Sequence, residues 1–315
     1  MALGFEVPKL ALGTAPIGSM AAQFGFAVSD EDTRATILHC FANGIRFVDT
    51  APLYGNGLAE IRIGEVVAGV PREQVLLGTK VGWLPNRVSG GVNDGARIYS
   101  RDAILRSIDD SLRRLQTSWL DVAHVHDPDV GGDFSKQVLD EAFPALNDLK
   151  SQGVIRAVGS GMNQWRMLAL FARHADLDCV LLAGRYSLLE QEPLHEFFPL
   201  MIEKKISVFL GGVFNSGILA TGAVPGARFQ YDVAPEPILE KTRRIEAVCA
   251  RYRIPLRAAA LQFAAAPAAV TTLVLGMVNP AQVDDNLAML ALPIPVDLWT
   301  ELAQEGLIET ICQES

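Results

Sequence analysis

The chain is poor in the residues that most often announce a chemistry by themselves. Its five histidines and four cysteines, among 315 residues, include no H-E-x-x-H and no C-x-x-C, so neither a zinc site nor a dithiol motif is read, and no metal is expected. Cys40, Cys179, Cys249 and Cys312 are scattered and read as reduced, mostly buried thiols of a cytoplasmic protein. No run of eighteen apolar residues marks a spanning helix. The opening Met1-Ala-Leu-Gly-Phe-Glu lacks the basic stretch and apolar core of a signal peptide. There is no Lys/Arg cluster, and the net charge of -9 argues against nucleic acid or an anionic membrane as partner. No linker or low-complexity tract divides the chain, so 1–315 reads as one domain. The expected partner is a small molecule, and the expected assembly a monomer or small homo-oligomer.

What is present is an alternation. Short apolar runs at 9–13, 45–49, 75–80, 121–126, 155–159, 179–183, 206–210 and 272–275 are rich in Val, Ile, Leu or Phe. They end at polar residues or glycine, as parallel strands buried on both faces do. Helix signals lie between them. Ser29-Asp-Glu-Asp32 forms a capping-box pattern. Ser100 can cap a helix whose Ile104, Leu105, Ile108, Leu112 and Leu115 share a stripe. Phe143, Leu146 and Leu149 precede a stop at Gly153, and 164–174 and 236–252 continue the pattern. Eight such units predict a (β/α)8 TIM barrel, with a doubly wound open sheet as the alternative. In a barrel the chemistry sits at the C-terminal strand ends.

Those ends carry a chemical set. Strand two closes on Asp49-Thr-Ala-Pro-Leu-Tyr54-Gly55, strand three on Thr79-Lys80-Val81-Gly82-Trp83, and strand four on His124-Val-His126-Asp127. A phenol titrating near pH 10 is a poor proton carrier at neutrality. A neighbouring ammonium is expected to pull its pKa down, an aspartate to hold that ammonium, and a neutral imidazole to orient the substrate oxygen. Each residue also has a plainer reading as cap, ion-pair partner or packing group. His124 and His126 read as facing opposite sides of their strand, with at least one of them structural. Gly55-Asn-Gly57-Leu-Ala-Glu60 only half-matches a dinucleotide fingerprint, and the Gly13–Gly18 stretch lacks the P-loop lysine.

The segment 44–55, Gly64-Glu65, Thr79-Lys80, 107–115, the strand at 121–126, 153–159 and the stretch from Pro280 to Asn286 together resemble the aldo-keto reductase superfamily over nearly the whole chain. The resemblance implies a catalytic tetrad of Asp49, Tyr54, Lys80 and His126, and a nicotinamide cofactor extended across the barrel mouth. It further implies that Ser160 and Asn163 hold the nicotinamide amide and that Phe209 stacks on its ring, while Ala183 stands where relatives carry Gln. The loop holding Asn215, Ser216 and Gly217 would fold over the pyrophosphate. Gly276 and Gln282 stand where NADP-selective relatives place Lys and Arg. With Asp284 and Asp285 beside them to repel the 2′-phosphate, and Asp285 or Asn286 able to accept from adenosine, NAD is expected over NADP. Each lost cation is worth roughly 1.5–3 kcal/mol of charge-assisted bonding.

The details at 51–60, 126–129 and 184–190 resemble a narrower branch of aldose 1-dehydrogenases acting on D-threo-aldoses, L-fucose and L-galactose, with a pyridoxal 4-dehydrogenase close by. That branch implies oxidation of an aldose at C1 to the lactone, with Trp83, His124, Asp127, Asp129 and Arg185 as candidate sugar contacts. Oxidation or reduction of an aromatic aldehyde or alcohol such as pyridoxal, with Trp83 and Phe214 in the pocket, is the alternative. A non-catalytic cofactor-sensing subunit is the reading from another class.

Overall fold

The computed structural model describes residues 3–19, 25–85 and 95–309. Eight parallel strands close into a barrel: β1 (Leu10–Gly13), β2 (Phe47–Asp49), β3 (Leu76–Val81), β4 (Leu120–His126), β5 (Ile155–Met162), β6 (Cys179–Ala183), β7 (Ser207–Gly211) and β8 (Val270–Gly276). Each pairs with its neighbour in sequence. Closure comes from β8 on β1, with Leu10 opposite Leu273 and Gly13 opposite Gly276. The open-sheet alternative is set aside.

The strands read as continuous apolar runs because both of their faces are covered. Ala11, Phe47, Val122, Ala157, Cys179, Leu181, Phe209 and Val274 point inward and pack with Leu3. The alternate residues, among them Leu12, Val48, Leu77, Val125, Val158 and Leu210, point outward into a second cluster shared with the helices. This two-residue period decides which side chains can reach the mouth. Two strand ends shift that outcome: β5 runs on to Met162, and β7 ends on Gly211.

The helices follow their local signals. In α1 (Asp30–Ala42) the Ser29 hydroxyl accepts the Asp32 N–H at 3.0 Å, satisfying a free first-turn donor. The helices α2 (Leu58–Val67) and α3 (Arg101–Leu115) follow, α3 burying Ile104, Ile108 and Leu115; Ser100 stands at its N-cap without a side-chain bond. Next is α4 (Phe143–Ser151), closed by Gly153 at φ +77°. The remaining helices of eight residues or more are α5 (Trp165–His174), α6 (Phe197–Lys204), α7 (Glu236–Arg251), α8 (Leu256–Ala265), α9 (Pro280–Ala291) and α10 (Val296–Gln304). Two hairpins lie outside the expected alternation. One pairs Trp83–Pro85 with Gly95–Arg97, the other Arg228–Phe229 with Asp232–Val233. Among the described residues no helix is long and apolar enough to cross a membrane. Cys40, Cys179 and Cys249 are buried free thiols, and burial pushes all three up in pKa; Cys312 lies outside the described residues.

Candidate active site

Strand β2 delivers Asp49 as its last residue, and the chain then turns sharply through Tyr54. Gly55, Asn56 and Gly57 all have positive φ, at +63°, +56° and +94°, so the turn needs residues that tolerate the left-handed region. It is fastened on two sides. Gly18 and Gly55 are in backbone contact. Glu60, fully buried in the first turn of α2, accepts from the Thr79 hydroxyl and from Arg114 Nε, each at 2.6 Å. Thr79 precedes Lys80 on β3, so the segment carrying the phenol is tied directly to the strand carrying the amine.

Asp49 and Lys80 form a buried ion pair, Nζ to Oδ2 2.6 Å, and the ammonium also donates to the Thr50 carbonyl at 2.9 Å. Lys80 Nζ lies 4.9 Å from the Tyr54 ring centre, close enough for its charge to act on the phenol. The His126 ring stands edge-on to Tyr54, centres 5.9 Å apart. All four groups of the expected tetrad therefore meet at one end of the barrel. They border a cavity of about 300 Å³.

The electrostatics differ in one respect from expectation. Burial alone would lower the Lys80 ammonium, but Asp49 and Tyr54 reverse this and leave it raised. Burial also raises the Asp49 carboxyl, against the pull of Lys80. The Tyr54 phenol is not lowered. Burial lifts it to about 12, with Asp49 and Asp127 adding to the rise and Lys80 opposing it. Asp49 opposes the field that Lys80 exerts on the phenol. Burial, with Lys80 and Arg97, drives His126 well below its usual value, so its imidazole is neutral at physiological pH.

Several expected positions fall elsewhere. His124 and His126 are two apart on β4 and so share the inner face rather than opposite ones. His124 lies a layer below the mouth, fully buried against Phe209 and with Nε2 3.5 Å from Cys179 Sγ, out of reach of a substrate. Phe209 is likewise in that lower layer, its ring 5.4 Å from Phe47. Its strand meets the cavity two residues later, at Gly211. Ser160 faces outward and donates to the Val125 carbonyl at 3.0 Å, while its neighbour Gly161 faces the cavity. Trp83 packs against Gly95 and under Arg97 in the first hairpin and does not line the cavity.

Asn163, Asp127, Arg185, Asn215, Ser216 and Gly276 do border the cavity. Asn163 Nδ2 donates to the Ala183 carbonyl at 2.6 Å. Arg185 is 3.4 Å from Glu190. Asn215 spends its amide on Gly184 and Glu190, and Ser216 accepts from the Tyr231 N–H at 2.8 Å. Gly217, Gln282 and Asn286 lie outside the lining, Gln282 accepting from the Val278 N–H at 2.9 Å. Asp284 pairs with His39 at 2.6 Å and Asp285 with Arg257 at 2.9 Å, so both carboxylates face a partner and Arg257 brings a cation to α9. The second hairpin adds Gln230 and Tyr231 to the cavity rim, a contribution no motif announced.

A flat ring has room here. Gly13, Gly161, Gly211 and Gly276 put no side chain into the cavity from β1, β5, β7 and β8. A Cβ on Gly161 would stand 3.4 Å from Leu181 and 3.7 Å from Lys80 Cε, and one on Gly211 3.6 Å from Leu181. These glycines leave the cavity wall beside the tetrad free of side chains, where a nicotinamide ring would lie, with Asn163 and the 215–216 loop at its edge.

Residues 9–305 match the family model described as "Aldo/keto reductase family". The chain is 36% identical to a pyridoxal 4-dehydrogenase of Microbacterium luteolum, covering 97% of this chain and 96% of the relative. It is 35% identical to a D-threo-aldose 1-dehydrogenase of a Pseudomonas species, covering 98% and 97%. Among solved structures, the holo form of the aldo-keto reductase AKR11C1 from Bacillus halodurans superposes with a TM-score of 0.78 at 26% identity, covering 99% of this chain and 97% of that one. The chain belongs to the aldo/keto reductase family, whose members are oxidoreductases using nicotinamide cofactors.

Proposed function

We propose that this aldo/keto reductase is an NAD-dependent aldose 1-dehydrogenase, oxidising the hemiacetal carbon of an L-fucose or D-threo-aldose type sugar to the lactone with Tyr54 as acid/base. One observation carries it: an ammonium locked by a carboxylate at 2.6 Å stands 4.9 Å from the centre of a phenol ring, and both groups border one cavity with the neutral imidazole of His126. The Pseudomonas relative supports the sugar, as do the polar groups around the cavity.

The residues divide the work as follows. Neutral His126 orients the substrate oxygen. Lys80 stabilises the phenolate that must take the hydroxyl proton, and Asp49 keeps Lys80 charged and in place. Asn163, Asn215, Ser216 and the side-chain-free strand ends would hold the cofactor. When bound, oxidised nicotinamide supplies the hydride acceptor and a positive ring that favours the phenolate. With its phenol at about 12, Tyr54 otherwise keeps its proton at neutral pH. Sugar oxidation is therefore faster in alkali, and carbonyl reduction faster nearer neutrality.

Oxidation or reduction of an aromatic aldehyde or alcohol such as pyridoxal is the second reading, favoured by the Microbacterium relative. The intact tetrad, with its ion pair buried beside the phenol, argues against a cofactor-sensing subunit. Following NAD reduction with L-fucose, L-galactose, D-arabinose and pyridoxal tests the proposal. Sugar oxidation by wild type and its loss in Tyr54→Phe are expected. Turnover of pyridoxal alone transfers the assignment to the second reading, and turnover that survives Tyr54→Phe sinks the mechanism.

A further inference from the structure

Asp127 has an unfavourable backbone conformation and is held in it from several sides. Its φ is +44°, in the left-handed region that Asp and Asn tolerate better than other side chains. Its N–H donates to the Gly161 carbonyl at 3.0 Å. Its own carbonyl accepts from the Tyr99 hydroxyl at 3.1 Å and from Arg97 Nη1 at 3.3 Å. Tyr99, fully buried, also donates to the His126 carbonyl at 2.7 Å. Strain over-determined by its surroundings in this way is characteristic of sites with a task. Its result is a carboxyl, only 20% exposed, with Oδ2 3.6 Å from His126 Nε2, bordering the same cavity as Tyr54 and Lys80.

Resting on the reading of Tyr54 as acid/base, we propose that Asp127 accepts a hydrogen bond from a substrate hydroxyl adjacent to the reacting carbon. The enzyme then selects hydroxylated aldehydes and their cyclic hemiacetals over plain aldehydes. A buried acceptor left without its donor is costly, so a site built for a hydroxyl rejects the analogue lacking it far more strongly than an apolar pocket rejects a missing methylene. The groups facing the carboxyl are Arg97, Lys80, His126, Asp129 and Tyr54. Burial pushes Asp127 up to about 6, Arg97 and Lys80 opposing and Asp129 adding to the rise. Acceptor strength is therefore present above that pH and lost below it.

Lactaldehyde and propanal differ by this one hydroxyl, and their reduction tests the idea without any sugar. At pH 8 wild type is expected to favour lactaldehyde in kcat/KM by about tenfold or more. The ratio should fall as the pH drops below about 6. Asp127→Asn keeps the shape and accepts the backbone conformation. It exchanges a charged acceptor for a weaker, neutral amide oxygen, so it should lower the ratio, through KM more than kcat, and remove its pH dependence, while an unchanged melting temperature reports an intact fold. Equal turnover of both aldehydes by wild type, turnover of neither, or a variant that retains the wild-type ratio and pH profile overturns the proposal. A lactaldehyde preference that depends on Asp127, without any oxidation of L-fucose, would leave this inference standing and remove the sugar assignment.

Discussion

Gly18 and Gly55 touch backbone to backbone: a methyl group on Gly55 would stand 2.1 Å from the Gly18 carbonyl oxygen. The loop after β1 is thereby pressed onto the turn that presents Tyr54. The position of the phenol depends on the absence of a side chain as much as on any bond.

Gly55→Ala should therefore harm activity beyond its effect on stability. The alanine must adopt φ +63° and displace a main-chain carbonyl, at a cost of about 1–3 kcal/mol. A shift of the phenol by about 1 Å should lower kcat by roughly a hundredfold. Steady-state kinetics alongside urea denaturation checks both. A variant with wild-type kcat would show that the contact does not place the phenol.

Removing Lys80 should cost both stability and rate, and the two losses can be separated. Lys80→Met leaves the Asp49 carboxylate buried and unpaired, a penalty of about 3–5 kcal/mol. The further change Asp49→Asn should restore much of that stability. It should restore none of the rate, because Tyr54 has lost the charge that opposes its rise to about 12. Recovery of kcat in the double variant would contradict the role given to Lys80.

Buried His124 should make the fold sensitive to acid. Burial, with Lys80, depresses it to about 3, whereas an unfolded histidine titrates near 6.5. The unfolded state thus binds a proton that the folded state refuses, and stability falls as the pH drops below about 6.5 towards 3. Asp127, raised to about 6, has the opposite sign: its contribution is present below its unfolded pKa and is lost as the pH rises through about 6. His124→Leu should flatten the decline in melting temperature between pH 7 and pH 5. An equally steep decline in the variant would place the acid sensitivity elsewhere.

NAD should be preferred to NADP by about tenfold or more in kcat/KM, since Gly276 offers no cation and Gln282 is committed to the Val278 N–H. Arg257, paired with Asp285, works against this. Asp285→Asn should accordingly raise NADP use by freeing Arg257. A tenfold preference for NADP in wild type would end the prediction.

The barrel and the four groups gathered at its mouth were legible because each leaves a local mark. Strands buried on both faces read as apolar runs, and Asp49, Tyr54, Lys80 and His126 stand at the ends of such runs. Which other residues reach the mouth depends on where each strand stops, and one residue of register exchanges the faces. With β7 ending at Gly211 instead of 210, Phe209 drops to the lower layer. With β5 continuing to Met162, Gly161 faces inward and Ser160 outward. The brace from Tyr99 to Asp127 and the hairpin carrying Tyr231 unite segments far apart in sequence, and no periodicity encodes that.

The sequestered thiols have a practical consequence. Cys179 sits inside the closed ring of strands, and Cys40 and Cys249 are on the buried faces of α1 and α7, so an alkylating reagent meets none of them until the surrounding structure opens. In a Cys312→Ser background, maleimide uptake becomes a clock for whole-barrel opening. It would time how long an intact molecule survives, and how far a bound dinucleotide lengthens that lifetime, with no need for turnover.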